Sequence, residues 1–385
     1  MPPSENSLSL FVFIDAFGWE ILRTHSFLDD ELPIRAPLET IFGYSSTCDP
    51  TILTGKMPRD HGHFSFFYYN PQKSPFRILR MLSILPPSLA NRGRVRNVIS
   101  RVVKRWLGYT GYFQLYNMPF RYLPLFDYSE KKDLYQKGGI NSGDLTIFDH
   151  LRERGIPFYL SDWRNSETSN LQSLEKSLSE GNICFGYLYM ASMDAVLHQY
   201  GTPSEPVKRK IAWYEDQLRK IIRIAREKYS ELHLFVFTDH GMTNVTEDCD
   251  LISRINSLGL RFGKDFVAVY DSTLARFWFF HEKARHLIVT ALSQEPRGHI
   301  MTRQELALYG CDFPGQPYGE LFFLLEPGIL LCPSFMGQSH LAGMHGYDPR
   351  DKDSLAMFAA NFSPNPLPKR LDGLFPLMMH EAGLA

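Results

Sequence analysis

Residues 233–242 read HLFVFTDHGM, an apolar run of strand character that stops at Asp239-His240 and turns at Gly241. No other stretch limits the possible folds so strongly. An apolar run of this length suits a strand buried on both faces, as found in parallel sheets covered by helices. A carboxylate and an imidazole at its carboxyl end lie on the edge where open α/β sheets bind ligands. Together they also offer a bite for a divalent cation. Three other segments end alike. Residues 9–14 (SLFVFI) stop at Asp15, and residues 183–190 (ICFGYLYM) lead to Asp194 with His198 one helical turn on. His345 sits between glycines in GMHGYD.

Elements of the two kinds alternate along the chain. Helical patterns over 144–154, 171–178 and 206–229 interleave with strand patterns over 156–160, 183–190 and 232–237. Such alternation predicts an α/β fold, doubly wound, with a mostly parallel central sheet and helices on both faces. Residues 45–54 should form a helix closed by Gly55. Further strand patterns cover 266–280 and 321–331, the second broken at Pro327-Gly328, and the proline-rich tail from 364 should wrap the domain edge. A chain of 385 residues allows one large domain with an insertion.

That insertion is marked by charge. Between 71 and 126 stand Lys73, Arg77, Arg80, Arg92, Arg94, Arg96, Arg101, Lys104, Arg105 and Arg121, with no acidic residue. We assign 1–70 and 141–385 to the core and 71–140 to a basic, partly helical cap. Within residues 89–107, Val95, Val98, Ile99, Val102 and Trp106 share one helical face among arginines. Three readings stay open for this amphipathic helix: a solvated face of a packed cap, a contact with an anionic membrane surface, or a steering patch for a polyanionic substrate. Net charge is only -1, so no stable nucleic-acid complex is expected.

Cys48, Cys184, Cys249, Cys311 and Cys332 are odd in number and lack any CxxC spacing. They argue against a disulfide framework and for a reducing compartment. The amino terminus lacks a basic stretch before its first apolar run, and no apolar run is long enough to span a bilayer. A cytoplasmic location, or one peripheral to the membrane, is expected.

Asp15, Asp194, His198, Asp239, His240 and His345 supply enough nitrogen and oxygen ligands for two cations. Paired cations roughly 3.5–4 Å apart suit hydrolysis at phosphorus, because they stabilise the attacking and leaving oxygens together. The nucleophile should be a hydroxyl at a helix start, where free N–H groups favour a bound phosphoryl group. Ser45 and Ser46 in FGYSSTCDPTILTG fit that description. His61 and His63 read as structural loop residues, and Tyr347 and Asp348 as neighbours of a ligand.

The stretches FVFIDAFG, YSSTCDPTILTGKMPRDHGH, MDAVLHQYG, FTDHGM and GMHGYD occur in that order over residues 11–348. In this, the chain resembles the alkaline phosphatase superfamily, particularly its nucleotide pyrophosphatase/phosphodiesterase branch. The resemblance implies a phosphoric ester hydrolase, most simply one that cleaves a phosphodiester or pyrophosphate bond, with nucleotide or lipid-linked esters as substrates. A phosphomonoesterase or phosphotransferase of the same superfamily is the alternative, and a non-catalytic anion- or membrane-binding member the second. Counting back from Gly55 as the family motif requires places the nucleophile at Ser45, with Ser46 the runner-up. By the same resemblance Asp194, His198 and His345 would hold one metal, and Asp15, Asp239 and His240 the other. The usual metal is zinc, with manganese the alternative. Many relatives carry Thr where this chain has Ser. The sulfatase pattern C/S-x-P-x-R is broken by Thr47 and Asp49.

Overall fold

The computed structural model describes residues 6–86 and 92–384. Six strands form the central sheet: β1 (Ser7–Ile14), β2 (Ile34–Leu38), β3 (Phe158–Leu160), β4 (Phe185–Met190), β5 (Glu231–Phe237) and β6 (Ala356–Ala360). Their order is β2-β6-β5-β1-β4-β3. The centre is parallel, β1 lying between β4 and β5 with β3 beyond β4. One edge is mixed, because β6 runs antiparallel to both β5 and β2. β6 follows directly from loops at the carboxyl edge of the sheet. With no crossover helix before it, it can only run back.

Both faces are covered. Leu8, Leu10, Val12 and Ile14 of β1 share a core with α3 (Glu167–Glu180), α4 (Ser192–Tyr200) and α5 (Glu205–Lys228). Phe11 and Phe13 point the other way, towards α1 (Ser45–Thr54), α2 (Ile147–Glu153) and α6 (Leu374–Glu381). Phe11 stacks on Phe235 at 4.4 Å and Phe13 on Phe237 at 5.3 Å, a cross-strand ladder that fixes register. With Ile14 paired to Met190 and Phe13 to Phe237, β1, β4 and β5 end level. Asp15, Asp239 and the start of α4 therefore reach one edge.

A second, antiparallel sheet joins Phe266–Tyr270, Leu274–Phe279, Leu321–Leu325 and Gly298–Ile300. It packs with Phe67, Phe76, Val103, Phe113 and Phe126 from the neighbouring part of the chain, so residues on both sides of α4 and α5 build one second core. Residues 321–331 form two strands, Leu321–Leu325 and Ile329–Leu331, separated at Pro327-Gly328. The amphipathic helix covers Gly93–Leu107, while 89–91 lie outside the described residues. Its buried face carries Arg96, Ser100 and Val103. Val98, Val102 and Trp106 face solvent at 53%, 63% and 60% exposure. Part of the apolar stripe thus points outwards, while Val95 is half-buried and Ile99 packs on the second core.

Arg276 locks the second sheet to the site. It is fully buried, and its guanidinium donates to Asp271 (2.8 Å), Ser65 Oγ (2.8 Å) and the carbonyls of Tyr318 (2.9 Å) and Phe67 (3.1 Å). Replacing it by methionine leaves Asp271 as an uncompensated buried charge. Thermal and denaturant unfolding should show a loss of about 3–5 kcal/mol; a loss under about 1 kcal/mol would mean the ion pair holds nothing.

Candidate active site

α1 starts at Ser45, its N-cap Tyr44 offering no side-chain cap; the Tyr44 carbonyl takes the Thr47 and Cys48 N–H groups, and those of Ser45 and Ser46 stay available to an anion. Gly55 ends the helix at φ 67°, in the left-handed region. Ser45 Oγ lies 3.1 Å from His240 Nε2. Ser46 is buried and donates to the Phe64 carbonyl at 3.1 Å, which turns its hydroxyl into the following loop. His61 and His63 also serve that loop. His61 Nε2 contacts Thr51 Oγ1 at 3.0 Å, and the Asn141 N–H donates to His63 Nε2 at 3.0 Å.

Two groups of three side chains face Ser45. Asp15, Asp239 and His240 form one; Asp194, His198 and His345 form the other, with ligand atoms in each within 4.8 Å of one another. In the first, His240 Nε2 stands 3.1 Å from Asp239 Oδ2 and 3.9 Å from Asp15 Oδ1. In the second, Asp194 Oδ1 lies 3.2 Å from His198 Nε2 and 3.6 Å from His345 Nε2. α4 makes the first of these contacts possible, since residues four apart share a helix face. The His240 and His345 rings stack at 3.7 Å, so the groups abut.

Backbone geometry aims these side chains. Gly241 follows His240 where a Cβ would stand 2.1 Å from the Asp353 carbonyl oxygen, so only glycine lets this turn pack. Gly346 after His345 has φ 90°, and a Cβ there would meet the Tyr44 ring at 2.6 Å. His240 Nδ1 donates to the Gly241 carbonyl and His198 Nδ1 to that of Gly343, each at 2.8 Å. A carbonyl only accepts, so both protons sit on Nδ1 and both Nε2 lone pairs face inwards. Tyr189 donates to Asp15 Oδ2 at 2.7 Å, and Asp239 Oδ1 accepts from the His240 N–H at 3.0 Å.

Asp15 Oδ1, Asp194 Oδ1 and Asp239 Oδ2 are buried without a hydrogen-bond partner. Orphaned buried carboxylate oxygens are costly unless a cation meets them. Burial, then Asp239 and Asp194, hold the Asp15 carboxyl well above the usual range. Burial also raises Asp239, but His240 and hydrogen bonds outweigh it and leave that carboxyl low. Burial, then His240 and His198, keep His345 neutral to well below the usual imidazole range. Three close carboxylates and inward imidazole lone pairs fit two divalent cations.

The site opens into a cavity of about 490 Å³ lined by Ser45, Asp194 and His345 on the sheet side and by Phe66, Tyr112 and Trp163 opposite. Tyr189, Asp49 and Glu130 also line it. Sequence reasoning missed all three. Asp49 lies one turn after Ser45 in a helix whose register was read correctly, and that spacing was the available signal. Glu130 sits in a charged stretch, YSEKKD, that reads as a solvated turn.

Fold and site define a phosphoric ester hydrolase of the alkaline phosphatase superfamily. Residues 10–348 match the model of the type I phosphodiesterase / nucleotide pyrophosphatase family, and the chain belongs to that family. Its members are metal-dependent and hydrolyse phosphodiesters. No curated protein sequence matches the chain. Among solved structures, human ectonucleotide pyrophosphatase/phosphodiesterase 5 superposes with a TM-score of 0.69 at 15% identity, covering 98% of this chain and 95% of that one. The murine protein, in an inactive threonine-to-alanine variant in complex with AMP, gives 0.69 at 15% identity over 99% and 96%. At that identity the likeness carries the fold.

Proposed function

We propose that the protein hydrolyses phosphodiesters through Ser45, with two metal ions, zinc or else manganese, held by Asp15, Asp239 and His240 and by Asp194, His198 and His345. The donor set of three carboxylates and three imidazoles suits either metal. Bound there, the metals would lower the pKa of the nucleophile and neutralise charge on the phosphoryl oxygens. Ser45 Oγ gives up its proton to solvent and bonds to phosphorus as the bond to the leaving alcohol breaks. Water then attacks the phosphoseryl adduct, the bond from phosphorus to Oγ breaks, and Ser45 regains a proton. The N–H groups of Ser45 and Ser46 at the start of α1 hold a phosphoryl oxygen. Inactivation of the murine relative by loss of one threonine hydroxyl is in keeping with a hydroxyl nucleophile.

The cavity lining carries the choice of ester. Among the described residues no Lys or Arg lines it. A monoester brings a second negative charge, which calls for a further cation. Bis(p-nitrophenyl) phosphate should therefore exceed p-nitrophenyl phosphate in kcat/KM by about a hundredfold. A monoester preference in the same assay would replace this reading with that of a phosphomonoesterase.

The exposed stripe of Val98, Val102 and Trp106, with Arg94, Arg101 and Arg105 beside it, supports contact with an anionic bilayer. Free thiols at all five cysteines are in keeping with a reducing, cytoplasmic setting. Co-sedimentation with phosphatidylserine vesicles should fall about tenfold in Trp106→Ala and vanish at high salt; binding equal to that of neutral vesicles would leave the stripe an ordinary solvated face.

A further inference from the structure

We propose that the 3-10 helix Arg77–Ile84 inserts the row Ile78, Met81 and Ile84 into an anionic lipid bilayer. With the helix Gly93–Leu107 it would dock the basic cap on that surface at two points. This rests on the bilayer reading of Val98, Val102 and Trp106 above and adds an element which that reading does not contain.

The residue pattern has the period of the helix. A 3-10 helix completes a turn every three residues, so side chains three apart stack in rows. Residues 77–85 read RILRMLSIL and sort into three such rows. Leu79 and Leu82, with Leu85 just past the end, face the second core, Leu79 buried and the other two half-buried. Arg77, Arg80 and Ser83 form an exposed polar row. Ile78, Met81 and Ile84 form the third, and it faces solvent at 55%, 70% and 88% exposure. One apolar row is enough to hold a surface helix to its core. Here a second row, equally apolar, is left bare.

This row belongs to a larger patch. Among the described residues ten large apolar side chains are exposed, and six of them are Ile78, Met81, Ile84, Val98, Val102 and Trp106. They come from two elements whose inner faces, Leu79 and Leu82 in one and Ile99 and Val103 in the other, pack on the same core. Single exposed apolar residues scattered over a surface need no explanation, but a concentration of this kind marks a contact site.

Charge selects what the site meets. Residues 71–126 hold ten Lys and Arg and no acid. The Arg77 guanidinium donates to the Pro71 and Gln72 carbonyls at 3.1 and 2.6 Å, neutral partners that leave its charge standing. Arg80, Arg94, Arg101 and Arg105 are exposed and enter no ion pair among the described residues. A second copy of this chain would set the positive surface against its own like. A nucleic acid would use the charge but leave the aliphatic row in water. A bilayer with acidic headgroups answers both rows, taking the arginines at headgroup level and Ile78, Met81 and Ile84 among the upper acyl chains.

The test is co-sedimentation of the full chain with phosphatidylcholine vesicles, with and without phosphatidylserine. The triple variant Ile78→Ser, Met81→Ser, Ile84→Ser should bind the anionic vesicles about tenfold or more weakly. Its Tm and its turnover of bis(p-nitrophenyl) phosphate should stay native, because all three side chains lie off the core. Ser83→Asp, which sets a negative charge in the basic row, should weaken the same binding about fivefold. Met81→Trp in a Trp106→Phe background should be quenched by brominated lipids. Native-level binding by the triple variant, or fluorescence of Met81→Trp untouched by brominated lipid, would overturn the insertion; a loss of binding in Trp106→Ala would then still uphold the helix. The converse, a failing triple variant beside native-level binding by Trp106→Ala, keeps the 3-10 row and sinks the helix reading. No binding of the native protein to either vesicle would overturn both. Self-association of the native protein in sedimentation velocity, lost in the triple variant, would give the row to a second copy and overturn the bilayer as its occupant.

Discussion

Ser45→Ala will lower kcat/KM for bis(p-nitrophenyl) phosphate by about a thousandfold or more, with metal content and Tm almost unchanged. The hydroxyl faces His240 Nε2 at the mouth of both ligand groups, and Ser45 is only partly buried, so its loss removes a reacting atom and little packing. Ser45→Thr keeps a hydroxyl at the same helix start and should retain activity within about tenfold of the native protein. Ser46→Ala separates the two serines. It removes one bond to the Phe64 carbonyl, which Thr47 also serves, so the cost is about 1 kcal/mol of stability with activity largely kept. Large loss in Ser46→Ala with little in Ser45→Ala would reverse the assignment.

Chelation will abolish activity and destabilise the fold. The orphaned oxygens of Asp15, Asp194 and Asp239 then face one another without a cation. At free metal a thousandfold above Kd, each site contributes about 4 kcal/mol to stability, so Tm should fall steeply on metal removal and return with zinc or manganese. The pH dependence follows from Asp15. Its carboxyl in the folded apo protein lies above the unfolded value, so the fold binds a proton the unfolded chain has released. Apo stability therefore falls as pH rises from the unfolded value through the folded one. Metal binding needs the ionised carboxylate, so the holo protein gains as pH rises. The gap in Tm between holo and apo protein should widen from acid towards neutral pH; a gap that narrows would mean that these carboxylates do not hold the metal.

The core sheet was legible because its strands are apolar on both faces and each stops at a polar residue. β1, β4 and β5 end level in the structure, so Asp15, Asp239 and His240 could be placed on one edge from sequence alone. The Asp194 to His198 spacing needed only that a helix begin near Ser192, which it does. β6, AMFAA, carries no sign of its direction, because antiparallel pairing depends on where the preceding loop leaves the chain. The amphipathic helix was read as a helix, but periodicity gives a face and not what the face meets. There Val98, Val102 and Trp106 meet solvent, while Ile99 packs on the second core and Arg96 turns inwards over the Phe120 ring at 4.0 Å. Glu130 was invisible for a related reason: its burial comes from the Gly111 to Tyr116 stretch closing over it, a contact between segments that no local pattern records.

The most direct measurement is peptide mapping of the protein quenched in acid during turnover of a slow phosphodiester. A phosphoryl adduct on the hydroxyl of Ser45, absent from Ser45→Ala, is the expected result. An adduct on Ser46, or turnover by the native protein with no covalent adduct at any serine, would contradict the account.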